Sequence, residues 1–166
     1  MMPVFDQFIE NKIYELDRLV KQIAAWRLKG DKIVFTNGCF DILHLGHAKY
    51  LAEARSLGNR LIIGLNSDLS VKRLKGAERP VNKEKDRSFL LASLLQTDGI
   101  VLFQEDTPAD LISAIKPDIL VKGGDYSEHE IVGADFVKSH GGQVVIIPFV
   151  NGYSTTGIIE KSNKMQ

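Results

Sequence analysis

Cysteine is almost missing: Cys39 stands alone among 166 residues. A single cysteine excludes an intrachain disulfide and fits a reducing compartment, where it serves as a compact hydrophobe or as a reactive thiol. Long apolar runs are missing too, and nothing approaches the roughly 18 residues a membrane span requires. No leader with a basic start and an unbroken apolar core is visible, because Asp6 and Glu10 interrupt the first apolar residues. An excess of one charge is also absent, since 21 Lys and Arg balance 21 Asp and Glu. A balanced chain has no global attraction for nucleic acid or membrane, so any anion site must be local. Internal repeats and low-complexity stretches do not occur. The expectation is a soluble cytoplasmic protein with neither nucleic acid nor membrane as a partner.

What is present is a repeated alternation of short apolar runs and amphipathic stretches, long enough for one domain with a real core. Ile33-Val34-Phe35, Leu61 to Leu65, Ile100 to Phe103, Ile119 to Val121 and Val144 to Ile147 read as five buried strands. Helical patterns separate them, which predicts an α/β fold: a Rossmann-like, doubly wound, five-stranded parallel sheet with right-handed crossovers. Ahead of the first strand, residues 4 to 28 place Phe5, Phe8, Ile9, Ile13, Leu16, Leu19, Val20, Ile23 and Trp26 at three- and four-residue steps. That spacing predicts one long amphipathic helix ending before Gly30, an extension over residues 1–30 added to a domain over 31–166. Its apolar face must be covered by the core or by a second subunit, and a homo-oligomer is the expectation.

The chemistry concentrates in residues 35 to 50. The first strand stops at the turn signal Asn37-Gly38, and a helix pattern begins near Gly46. His44 and His47 are three apart and project to nearly the same side of a first helical turn. Gly46 between them leaves no side chain to block a phosphate approaching the backbone, and a helix N-terminus favours anions. Imidazolium donors there would neutralise charge developing on phosphoryl oxygens. Two ordinary surface histidines fit the spacing equally well. Asp41, His44 and His47 also offer ligand types that zinc accepts, although no further His or Cys stands at ligand spacing.

Three more segments follow strand ends, where open α/β sheets bind ligands. Asn66-Ser67-Asp68 leads into a polar stretch to Lys85 rich in Lys72, Arg73, Lys75, Arg79, Lys83 and Lys85. The stretch reads as a basic flap closing over a polyphosphate, or as a solvated loop. Arg87 sits in the first turn of the next helix, a poor place for a cation unless a phosphate or Glu84 or Asp86 compensates. Lys122-Gly123-Gly124-Asp125-Tyr126 opens from a strand, with glycines suited to close backbone approach; a plain tight turn is the alternative. Another helix is expected over residues 128–139. Ser154, Thr155 and Thr156 open the last helix, either capping its N–H groups or holding terminal phosphates.

Taken together, Thr36-Asn37-Gly38-Cys39-Phe40-Asp41-Ile42-Leu43-His44-Leu45-Gly46-His47 resembles the signature of the His-x-Gly-His nucleotidyltransferase superfamily. Asn66-Ser67-Asp68, Lys72-Arg73-Leu74-Lys75-Gly76, Arg79-Pro80-Val81-Asn82, Val121 to Tyr126 and Ser154-Thr155-Thr156 recur in the order found in its D-glycero-β-D-manno-heptose 1-phosphate adenylyltransferase branch. The resemblance spans about residues 30 to 160. It implies transfer of AMP from ATP to that heptose phosphate, giving ADP-heptose and pyrophosphate for surface polysaccharide assembly.

The same resemblance implies roles. His44, His47, Lys72 and Lys75 would be catalytic. Asn37, Gly38, Phe40, Gly46, Asn66, Asp68, Arg79, Gly123, Asp125, Ser154, Thr155 and Thr156 would bind nucleotide together with the two histidines. Asp41 and Lys122 would contact the acceptor. Magnesium would arrive with ATP and be held mostly by its phosphates, with no protein metal site. One departure is Val71 where the branch carries threonine, which removes a hydroxyl. Unlike the fused members of that branch, these 166 residues show no sugar-kinase segment, and the expectation is a separate sugar kinase that supplies the acceptor. Independently of the resemblance, no nucleophile stands beside a base and no Gly-x-x-x-x-Gly-Lys-Ser/Thr loop occurs, which favours direct in-line transfer. Rival readings are a superfamily member using CTP with glycerol 3-phosphate or ATP with FMN, and a nucleotide sensor without turnover.

Overall fold

Residues 5–164 are described by the structure, a computed structural model. Val34, Phe35 and their neighbours form β2 (Ile33–Gly38), which lies inside a parallel sheet. The other strands are β1 (Ile13–Tyr14), β3 (Arg60–Asn66), β4 (Gly99–Phe103), β5 (Ile119–Gly123) and β6 (Gln143–Ile147). Their spatial order is β1-β4-β3-β2-β5-β6, and every pairing is parallel. The sheet thus has six strands rather than the expected five.

The sixth strand comes from the segment expected to be one continuous helix. Helix α1 (Phe5–Glu10) stops, β1 pairs Ile13 and Tyr14 with Ile100 and Val101, and α2 (Leu16–Arg27) follows. The break is held from outside the segment. Lys12 donates from Nζ to the Ala92 and Leu94 carbonyls, and the Ile100 N–H donates to the Lys12 carbonyl at 2.8 Å. A two-residue strand scarcely disturbs a three- and four-residue apolar period, so periodicity reads through it.

Strand side chains alternate between two cores, as the pleat requires. Ile33, Phe35 and Ile62 join Leu19, Ile23 and Trp26 of α2 with Leu111, Ile112 and Ile115 of α6 (Ala109–Ile115). Val34, Leu61, Ile63 and Leu65 join Leu51 and Ala54 of α3 (Leu45–Ser56) with Leu91 and Ala92 of α5 (Glu84–Ala92) on the other face. The core therefore covers one face of α2, while Phe5 and Phe8 of α1 stay exposed.

Two further differences bear on the site. Residues 68–75, expected within a flap or loop, form helix α4 (Asp68–Lys75), whose N-cap Ser67 accepts from the Ser70 N–H. The helix expected over 128–139 splits into a 3-10 turn (Glu128–Glu130) and α7 (Ala134–Ser139), because Gly133 takes φ +88° beneath Ile112. The last helix is α8 (Thr155–Asn163). Among the described residues no helix is long and apolar enough to cross a membrane.

Candidate active site

The chain winds outward from β2 through β3 to β4, then crosses back to place β5 on the other side of β2. Connections leave β2 and β5 in opposite directions, so a crevice opens at their carboxyl ends. A cleft of about 790 Å³ lies there, within the usual size range of small-molecule sites. Asn37, Gly38, Phe40, Asp41, His44, Gly46, His47, Asn66, Lys75, Arg79, Lys122, Gly123, Ser154, Thr155 and Thr156 all border it. Lys72, Asp68 and Asp125 do not line it. Lys72 and Asp125 are exposed to solvent, whereas Asp68 is engaged elsewhere.

The two imidazoles are stacked, with ring centroids 3.7 Å apart and planes 17° from parallel. His44 is the N-cap of α3, and its Nδ1 accepts the His47 N–H at 3.3 Å. Accepting there assigns its neutral proton to Nε2. Phe40, itself buried and at a left-handed φ of 43°, closes the other side of His47 edge-on at 5.1 Å. Gly46 has a second reason to be glycine: a Cβ there would stand 3.0 Å from both Tyr153 Cβ and His44 Nδ1.

Electrostatics correct one expectation. Imidazolium donors were expected, yet burial lowers the pKa of both rings. His47 falls from 6.5 to about 4, mainly by burial and then by the neighbouring His44. Its Nδ1 is buried without a well-formed hydrogen bond, and residual attraction to the Ile42 backbone opposes the shift without cancelling it. The pair is therefore neutral at pH 7 in the empty cleft, and an arriving polyanion would draw protons onto it.

This arrangement has a stability signature. The unfolded chain protonates His47 near 6.5, but the fold resists protonation until about pH 4. Its contribution is complete above pH 6.5 and is lost as pH falls toward 4. Wild-type urea stability should thus drop between pH 7.5 and 5 more steeply than that of His47→Gln. Parallel pH dependences in the two proteins would contradict the buried neutral state.

Lys122 is the other desolvated group. Burial lowers its pKa, the Cys39 thiol opposing, and its Nζ donates only to Asn37 Oδ1 at 3.4 Å. No carboxylate pairs with it among the described salt bridges. A desolvated cation without a counter-charge is costly, and an anionic ligand would relieve that cost. Lys122→Met should leave thermal stability unchanged or higher while weakening binding of an anionic ligand in the cleft by about 10–100-fold. A fall of several degrees in Tm would show that the ammonium is already satisfied.

Asp41 is engaged differently from the expected acceptor contact. It is 3% exposed; Oδ2 accepts from Arg79 Nε at 2.6 Å, and Oδ1 from the Val81 and Asn82 N–H groups at 2.7 and 3.1 Å. Asn82 Nδ2 returns a bond to the Asp41 carbonyl at 2.9 Å. Both oxygens are occupied, which also removes Asp41 from a zinc set with His44 and His47. Among the described residues no three His, Cys, Asp or Glu side chains gather as metal ligands. The basic stretch is accordingly a helix followed by a strap at 79–82 pinned to the histidine loop.

Arg87 needs neither of its expected partners. It is fully buried, donating to the Asn82, Cys39 and Asn66 carbonyls at 2.9, 2.6 and 2.9 Å and to Asp68 Oδ1 at 2.8 Å. Asp68 and Glu84 exchange backbone bonds, Asp68 N–H to Glu84 Oε2 at 2.7 Å and Glu84 N–H to Asp68 Oδ1 at 2.8 Å. Asn66 is buried too, donating from Nδ2 to Ser70 Oγ at 3.0 Å. Asn66, Asp68 and Arg87 thus brace the cleft from behind.

Several bordering residues carry no local sequence signal. Tyr50 hydrogen-bonds Thr36 Oγ1 at 2.6 Å, and burial pushes its phenol up to about 12. Leu74, Phe149 and Tyr153 also line the cleft. A helix-face tyrosine and loop aromatics look like ordinary packing residues until the chain is folded.

Switch-point crevice, paired imidazoles and helix N-termini together define a nucleotidyltransferase domain. The chain belongs to the cytidylyltransferase-like family, whose model matches residues 35–161. It is 58% identical over 152 residues to a bifunctional protein HldE of Trichlorobacter lovleyi, and 60% identical over 156 residues to one of Nitratiruptor sp.. Those alignments cover 92% and 94% of this chain but 31% and 32% of the relatives, so the chain spans about a third of their length. A solved lipopolysaccharide core biosynthesis protein from Thermoplasma volcanium matches with a TM-score of 0.61 and 32% identity, covering 75% of this chain and all of the other.

Proposed function

We propose that the chain transfers AMP from ATP to D-glycero-β-D-manno-heptose 1-phosphate. An acceptor phosphate oxygen attacks the α-phosphorus, the bond to the α,β-bridging oxygen breaks, and pyrophosphate leaves with that electron pair. The observation that carries this reading is the gathering of uncompensated phosphate partners in one crevice: the stacked imidazoles, Lys122, and the first turns of α3 and α8. No side chain there is arranged as an activated nucleophile, so positioning and charge stabilisation do the catalytic work.

His44 and His47 take the role of holding the triphosphate and stabilising charge as the bridging bond breaks. Lys75 adds charge from the end of α4. Ser154 already accepts the Gly157 N–H at 3.0 Å, leaving the Thr155 and Thr156 hydroxyls and the first amides of α8 for the leaving phosphates. Lys122 meets the acceptor phosphate. Magnesium fits as part of the substrate, because the carboxylates bordering the cleft are engaged elsewhere, Asp41 by Arg79, Asp106 by Arg73 and Glu130 by Ser127; carried in with the phosphates, it would neutralise their charge.

The choice of heptose rests on the ordered motif set and on relatives named HldE. A sugar kinase, fused or separate, would supply the acceptor in the cytoplasm. The test is pyrophosphate release over a matrix of triphosphates and phosphorylated acceptors. ATP with the heptose 1-phosphate should exceed every other pair; faster release from CTP with glycerol 3-phosphate, or from ATP with FMN, would replace this assignment.

A further inference from the structure

Two aromatic rings at the lip of the cleft are unused by the chemistry above. Phe149, between β6 and α8, is 70% exposed, and Tyr126, just after β5, is 45% exposed. Both border the cleft at the Gly123-Gly124 turn. Phe149 ring carbons lie 2.8 and 3.1 Å from where a Gly124 Cβ would stand, and a Tyr126 ring carbon lies 3.1 Å from it. At Gly123 the neighbours are Tyr50 at 3.1 Å and Phe149 at 3.3 Å. Gly124 also has a φ of +122°, a conformation that L side chains rarely adopt. The bare turn thus lets aromatic rings approach the backbone at a point where any side chain would push them off.

From this placement we propose that Phe149, with Tyr126 beside it, receives the nucleobase of the bound nucleotide by stacking at the Gly123-Gly124 turn. The proposal rests on the nucleotidyltransferase reading and adds to it the residues that hold the base. Polarity supports it. Phe149 and Ser154 belong to one loop and stand five positions apart, at most about 18 Å of chain. A nucleoside whose phosphates sit at the α8 N-terminus is therefore within reach of the ring, and Phe149, Ser154, Thr155 and Thr156 border one cleft. The Lys122 ammonium sits 5.8 Å from the Tyr126 ring centroid, holding a positive charge against that ring. An aromatic face left this exposed contributes little to the core, so its replacement leaves the fold intact.

The experiment compares MgATP with inorganic tripolyphosphate as ligands of the full chain, by calorimetry without acceptor. Phe149→Ala should weaken ATP binding by about 5- to 100-fold, the range for one base on one ring, and change tripolyphosphate binding less than about 2-fold. Phe149→Trp should restore ATP affinity, and its indole fluorescence should be quenched by ATP but not by tripolyphosphate. Equal losses for both ligands would make Phe149 a support for the phosphate loop and overturn the proposal. Unchanged ATP binding in Phe149→Ala would overturn it as well. If the wild-type protein bound neither ligand, the nucleotide reading itself would fall, and the base site with it.

Discussion

Replacing either imidazole of the stacked pair should lower turnover by about 10²–10³ while ATP affinity changes little. The reasoning lies in the charge balance of the crevice. Both rings are neutral when the cleft is empty, because burial opposes their protonation. A bound triphosphate offsets that opposition, and the added negative charge on the departing oxygens offsets it further. In the transfer proposed above the donors are thus worth most when the α,β-bridging bond breaks, and such an interaction would appear in kcat. His44 carries a second duty as the cap of α3, so His44→Ala should also cost about 0.5–2 kcal/mol of stability. His44→Asn keeps a capping acceptor and separates the two effects: stability should return and turnover should not. Near-normal kcat in both alanine variants would remove the pair from the mechanism.

Arg87→Met is expected to be the most destabilising of the substitutions considered, at about 3–5 kcal/mol. The guanidinium satisfies three carbonyls and one carboxylate with no access to solvent. Its removal takes away the cation paired with Asp68 and leaves the Cys39, Asn66 and Asn82 carbonyls without this donor. Those carbonyls belong to three separate walls of the cleft: the histidine loop, the end of β3, and the strap pinned by Asp41. Arg87→Lys should rescue little, because an ammonium offers its donors from one point whereas the planar fork spans several directions. For a domain of this size the methionine variant should melt about 10 °C or more below wild type. Urea unfolding that placed the loss under about 1 kcal/mol would show the network to be dispensable.

The resemblance of the motif set to the nucleotidyltransferases and the family match point the same way, because the motifs that carry the resemblance are local in sequence. His44, Gly46 and His47 lie at the start of one helix, and Ser154, Thr155 and Thr156 at the start of another. Residue type and spacing are enough to read such groups. The same holds for the β2, β3, β4, β5 and β6 apolar runs, whose length and flanking turns mark them as buried strands. What spacing did not reveal is how those turns are braced, or that Phe149 reaches Gly124.

The amino-acid sequence by itself determined the strand–helix alternation, the glycine positions, and the placing of two histidines where a strand gives way to a helix. Tertiary structure decided the rest. It broke the first helical segment to add β1, because Lys12 finds carbonyls 80 and 82 residues away. It turned Asp41 into a pin through Arg79, 38 residues distant, and buried Arg87 against the Cys39 carbonyl, 48 residues distant. It set Lys122 beside Asn37 across 85 residues without a counter-charge. Hydrophobic period and turn chemistry act over a few residues and so can be read along the chain; burial, desolvation and ion pairing depend on which distant segments the sheet brings together.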